Sequence, residues 1–237
     1  MAKANYSGRK SAVVIGLPAE VTTGSYPEEV VEVAGKVNVV AGPVADPEDN
    51  PELAVGEYAF YRNGTWIKVN KDAGNIFVGK QTDADGNEYD EISFLVPSAN
   101  SIDLTNGTEI ESWESFGTIY RDKMPTIMDW NGSIAAKVDF GDNPAQVYIY
   151  KSLLQQKEVT LYSYLYFVSS NGAIDTSRAV RQYGQAYITS FNISASPTTV
   201  ADVTIDYEGN GELKMQIGSE VIKTDWAALN EWAMNRT

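Results

Sequence analysis

At 237 residues the chain is long enough to bury one large core or two small ones. It contains neither cysteine nor histidine, which excludes disulfides, thiolate nucleophiles, cysteine-based zinc sites and any Ser-His-Asp or Cys-His catalytic relay. The net charge of −14 argues against a grip on duplex DNA through its phosphates, and the excess is concentrated: residues 18–97 carry 15 acidic and 5 basic side chains.

The basic, polar opening MAKANYSGRK leads into the short apolar run SAVVIGL, which Pro18 and Glu20 end too early for a secretory signal. The run reads as a first strand, Ser11 to Leu17. No stretch approaches a membrane span, and the expected place of synthesis is the cytoplasm. Val31, Val33, Val37 and Val39 alternate with polar residues and predict a second strand over 30–40. A loop rich in Pro, Asp and Asn follows (Ala41 to Leu53). In EYAFYRNGTWIKV, Asn63-Gly64 fits a type I′ turn between two aromatic arms, with Tyr58, Phe60, Trp66 and Ile67 as cross-strand contacts. Ile76 to Gly79 and Glu91 to Val96 predict one further pair.

Asn143 and Pro144 open the one convincing internal helix, 143–157, with Val147, Tyr150, Leu153 and Leu154 near one face. The strand Val159 to Val168 comes next. Its Tyr162, Tyr164 and Tyr166 alternate with Leu161, Leu165 and Phe167, so it is either a central buried strand or a contact between subunits. Gln182 to Ile217 reads as a three-strand meander: a strand ending before Ser196-Pro197, the alternation Val203, Ile205, Tyr207 against Asp202, Thr204, Asp206, then a turn at Glu208 to Gly211 and a last strand through Leu213, Met215 and Ile217. KTDWAALNEWAMNRT predicts a short C-terminal helix with Trp226, Leu229 and Ala233 on one side.

Signals for chemistry are weak. DADGN (Asp83 to Asn87) begins like a calcium loop, but Glu88 and Phe94 stand where the EF-hand pattern needs Gly and Glu. Glu109, Glu111 and Glu114 flank Trp113, yet a carboxylate pair beside a Trp is as easily fortuitous as glycosidic. EGNGE lacks the lysine of a phosphate-binding loop. The expectations are no enzyme, no cofactor, no catalytic residue and no metal.

The order of elements in Gly184 to Ile188, Ser196 to Val200, Asp202 to Tyr207 and Gly209 to Leu213, preceded by WESFGTIYRDKMPTIMDWNGSIAAKVD (Trp113 to Asp139), resembles the major tail tube protein of long-tailed, siphophage-type bacteriophages. The likeness covers Ile102 to Ile217, about half of the chain. It implies a mainly β fold, a β-sandwich or partial barrel with one packed α-helix. Residues 1–17 would be an N-terminal arm and first strand, and 18–97 a β-rich insertion or small accessory domain. Residues 98–237 would be the tube-like sandwich with helix 143–157 and a C-terminal helix.

The resemblance further implies a structural virion protein, assembled in the host cytoplasm, whose hexameric rings stack into a tube that conducts DNA without binding it specifically. Its partners would be itself, the tape-measure, tail terminator and baseplate proteins, and no membrane. Asp202, Asp206 and Glu212 are the candidates to face the lumen; Tyr162, Tyr164, Tyr166 and Trp226 are the candidates for subunit contacts. A different class remains open: a carbohydrate-binding or adhesion β-sandwich module of a phage or bacterial surface, with Trp66 or Trp113 as the stacking platform.

Overall fold

The computed structural model describes residues 6–45, 49–69, 76–82, 87–96, 99–114, 121–140, 144–168, 174–218 and 220–222. Within these the chain is mainly β, with one α-helix. A spine of strands runs through it: β1 (Tyr6–Thr23), β9 (Glu158–Val168), β10 (Ile174–Ser196), β11 (Thr199–Ile217), β8 (Arg121–Lys137) and β7 (Ala99–Glu114), neighbours in that order. Every pairing from β1 to β7 along this spine is antiparallel.

Two smaller groups hang from β1. Its middle, Val14 to Pro18, also pairs with β6 (Glu88–Leu95), which carries β5 (Ile76–Thr82) as its hairpin partner. Its last residues pair in parallel with β2 (Val37–Ala41), which continues into β3 (Tyr58–Arg62) and β4 (Thr65–Lys68). The β3–β4 turn has positive φ at both Asn63 (52°) and Gly64 (84°), the backbone a type I′ hairpin requires. A short β12 (Glu220–Ile222) closes against the end of β11.

The main core lies on one side of the spine, where Val13, Ile15, Leu17, Val159, Leu161, Ala186, Ile188, Val203, Ile205, Tyr207 and Ile134 meet Phe60, Ile92 and Phe94. Helix α1 (Ala145–Gln155) packs on this side against β10 and β9. Tyr148 stacks on Phe94 at 5.0 Å, and Ile149 is fully buried.

Several expectations are corrected. Only the end of the 30–40 stretch is strand; Val31 and Val33 lie exposed in a loop before β2, because β1 offers partners only to residues 37–41. The helix begins at Ala145 with Pro144 in the capping position and no side-chain cap, while Asn143 falls outside the described residues. Its buried face is Ala145, Gln146, Tyr148, Ile149 and Ser152, whereas the predicted Tyr150 and Leu154 are exposed. Gln146 is buried because its amide bridges two backbone groups, accepting from Asp139 N and donating to Lys137 O. The residues around Trp113 belong to β7.

Glu208 to Gly211 is not a turn. β11 runs through it, and the glycines there serve close contact. Trp130 on β8 lays its indole across Gly184 and Gly209, where any Cβ would collide with the ring, and its Nε1–H donates to Gly211 O at 3.0 Å. The extra residues 211–213 form a bulge between the pairs Tyr183–Lys214 and Gln185–Asn210, with Gly211 at φ 75°.

Gly209→Ala is therefore expected to destabilise the fold by about 2 kcal/mol or more, since the indole is fixed on both sides. Gly107→Ala, with open space at its Cβ, is expected to stay within about 0.5 kcal/mol of the parent in the same urea titration.

Candidate subunit interface and polar face

Antiparallel registers place residues of four strands in rows. Ser190, Asp206, Ser133 and Asp103 stand side by side across β10, β11, β8 and β7; Asn192, Thr204, Ala135 and Ser101 form the next row. Tyr187, Glu208, Asn131 and Thr105 form another. The alternating rows are apolar: Phe191, Ile205, Ile134 and Ile102, then Ile188, Tyr207, Gly132 and Leu104. One side of this four-stranded unit is thus core, and the other is a carpet of hydroxyls, amides and carboxylates.

Two of the proposed lumen residues lie in this carpet. Asp202 is ion-paired with Lys137 at 2.5 Å, both exposed, and Asp206 accepts a hydrogen bond from Ser190 Oγ at 2.5 Å. Glu212 is exposed in the bulge, at the rim of a separate cleft. Tyr207 ties the unit together from the core side. Its ring crosses Gly132, which has no Cβ to obstruct it, and its hydroxyl donates to Asp103 O on β7 at 2.8 Å. Burial raises the Tyr207 pKa, with the Asp103 charge adding to it, so the phenol stays a donor.

Both margins of the unit are open among the described residues. β10 pairs with β9 only as far as Tyr187, so Ile188 to Ser196 has β11 on one side and no strand on the other. The outer margin of β7 likewise has no strand partner. The two margins run in opposite directions, because three antiparallel steps separate them. Beyond Met128 the β7–β8 ribbon continues as two strands alone, pairing through Glu114 and Arg121, where β11 no longer accompanies it.

Of the tyrosines named as candidates for subunit contacts, Tyr164 is half-buried. Tyr162 is buried within the chain, stacked on Tyr183 at 5.7 Å and on Tyr164 at 6.3 Å. Arg181 lies 4.5 Å from the Tyr183 ring. The side chain of Tyr166, the whole of Trp226 and the predicted C-terminal helix lie outside the described residues, as does Asp83 to Gly86. Trp66 is half-buried, with the rings of Tyr26 and Tyr61 each 5.2 Å away in edge-type contact.

The residue that sequence reasoning missed is Glu91 on β6. Its side chain crosses β1 over Gly16, and its Oε1 accepts hydrogen bonds from Tyr162 Oη (2.7 Å) and Ser93 Oγ (2.8 Å). The residue is only 2% exposed, and its Oε2 has no hydrogen-bond partner. Burial raises its pKa above the ordinary carboxyl value, against the opposing hydrogen bonds of Tyr162 and Ser93. Its partner Tyr162 is also part of the lining of a cleft of about 600 Å³, with Tyr89, Thr160, Tyr183, Gln185 and Lys214. In sequence Glu91 alternates with Ile92 and Phe94 as any solvated carboxylate would; its burial comes from β9, 71 residues away.

No family model matches the sequence, and no curated protein matches it. Comparison with solved structures finds partial likenesses. The SPP1 tail tube subunit has a TM-score of 0.42 at 18% identity, over 59% of this chain and 75% of that one. The tail of an empty gene transfer agent particle, with C6 symmetry, has 0.40 at 12%, over 62% and 98%. Hcp protein has 0.37 at 9%, over 64% and 99%.

Glu91→Gln is expected to stabilise the chain at neutral pH, because it keeps an acceptor for Tyr162 and removes a buried charge. A raised carboxyl pKa contributes stability that is full below the unfolded value and is lost as pH rises through the folded one. The stability gap between Glu91→Gln and the parent should therefore widen from acid to neutral pH, as read by urea denaturation at each pH.

Proposed function

We propose that the chain is a non-enzymatic structural subunit, the building block of a phage tail tube, and that copies join edge to edge into closed rings. The observation that carries this reading is the pair of unpartnered margins on one four-stranded unit. β7 of one copy and Ile188 to Ser196 of the next run antiparallel when brought together, so the hydrogen-bonding pattern inside the subunit continues across the joint. A head-to-tail joint uses both margins of every copy, and a ring that closes leaves no edge exposed. A two-fold joint through one margin would leave the other open.

In such a ring the apolar rows stay on the outside, under α1, and the polar rows line a channel. Hydroxyls and amides from Ser190, Asn192, Ser133 and Thr105, with carboxylates from Asp103, Asp206 and Glu208, make a hydrated surface bearing more negative than positive charge. DNA in that channel meets repulsion at short range and no cationic grip. The sequence resemblance implies hexameric rings, stacking into a tube, and contacts with tape-measure, terminator and baseplate proteins. The two-stranded extension of β7–β8 is the part placed to reach beyond the ring, since an isolated hairpin is marginal without something to pack on.

Negative-stain electron microscopy of the purified chain is expected to show rings or tubes; monomers at every concentration would overturn the reading. Replacing Asp103 and Asp129 by Lys, both on the polar side, should leave assembly intact. The altered tubes should retain duplex DNA at low ionic strength and release it as salt rises, whereas parent tubes retain none.

A further inference from the structure

Beside the open margin of β10 lies a patch of apolar side chains that the fold leaves uncovered. Phe140 is 47% exposed, Tyr150 45%, Leu154 66% and Ile193 53%. Two of them meet Phe191: Phe140 stacks on its ring at 6.4 Å and Tyr150 lies against it at 5.4 Å, while Ile193 follows two residues on along β10 and Leu154 one turn on along α1. Tyr150 and Leu154, one helical turn apart, form the outward row of α1, on the side opposite the buried Ala145, Ile149 and Ser152. Isolated exposed apolar residues need no explanation, but a contiguous group with aromatic stacking does.

The position of this patch says what covers it. β9 stops accompanying β10 at Tyr187, and α1 packs over β10 where that neighbour is missing. A strand added to the Ile188–Ser196 margin would therefore lie against α1 as well. Side-chain parity then restricts the added strand. A one-residue slip turns every side chain to the wrong side, so polar rows must meet polar rows. If the added strand is β7 of another copy, its Ile102 and Leu104 fall on the side of Phe191 and Ile193. Within their own copy, both of these residues are only partly buried against the core.

We infer that Phe140, Tyr150, Leu154 and Ile193 form the second half of the joint between neighbouring copies, a dry seam that receives Ile102 and Leu104 of the next copy's β7. This inference rests on the ring reading above and adds to it. Backbone pairing along a strand margin is indifferent to sequence, whereas the seam supplies apolar burial and selects this margin over any other strand edge. Hydrogen bonds set the direction of the joint; the seam sets its strength.

The chain has no cysteine, so engineered pairs report without background. A mixture of Leu154→Cys chains with Leu104→Cys chains should give cross-linked dimers on oxidation, and the double variant a ladder ending in a closed oligomer. Leu154→Lys, at the more exposed of the two helix positions, should leave the urea transition of the monomer unchanged and raise the concentration needed for assembly by about tenfold or more. Unchanged assembly of that variant, with rings still visible, would overturn the seam and leave the ring reading standing. Failure of the parent chain to assemble at all would remove the ring reading itself. Faster thiol labelling of monomeric Leu154→Cys after truncation at Ile222 would show that the chain's own C-terminal segment covers the patch, and would also overturn the seam.

Discussion

Backbone hydrogen-bonding groups along a strand must find partners, and among the described residues the four-stranded unit β10-β11-β8-β7 leaves both of its margins unserved. That constraint organises the rest. The spine from β1 to β7 could have closed on itself, with β7 returning to β1, but the registers instead end at β7 and release β10 from β9 halfway along its length. A monomer built this way presents two templates for strand addition, which soluble proteins ordinarily blunt with charge, proline or a covering helix. Here the open stretch of β10 carries Ser190, Phe191, Asn192, Ile193 and Ser194, none of them charged. An uncharged margin on β10 is what the proposed joint, in which another copy completes the sheet, would require.

The four-stranded unit must also be rigid enough to present its margins in register, and two aromatic crossings supply that. Trp130 lies across two glycines of β10 and β11 and anchors to the backbone of a third residue, while Tyr207 spans Gly132 to reach β7. Each locks non-adjacent strands through a ring that only a missing Cβ permits. The bulge at Gly211 to Leu213 lets β11 bend after this lock, so that its end follows β10 toward β9 while its beginning stays in the flat polar unit.

Much of this was legible from period-two alternation. Val203, Ile205 and Tyr207 are buried as their spacing demanded, and Asn63-Gly64 turns as its chemistry requires. What misled was context. Glu208-Gly209-Asn210-Gly211 has the composition of a turn, yet its glycines are there for an indole 79 residues away in sequence from Gly209. Val31 and Val33 alternate convincingly but have no strand to pair with. The helix was found by its Asn-Pro opening, while its orientation was misjudged because Gln146 and Ser152, both polar, turn inward. Glu91 was invisible for the same reason: a carboxylate among strand residues announces solvent, and only the distant Tyr162 makes it interior. Local pattern reports which face a residue prefers; it does not report which long-range neighbour claims that face.

An even strand count within the unit has a geometric corollary. In the proposed ring every copy would contribute two up and two down strands, so the alternation at a joint would be satisfied whether few copies or many were present. Circumference is consequently not dictated by backbone pairing. It is dictated by the wedge angle each subunit subtends, and that angle is governed by strand tilt and by the kink at Gly211. A subtle change in the Trp130 clamp would thus alter the bore of the assembly before it altered whether the copies join.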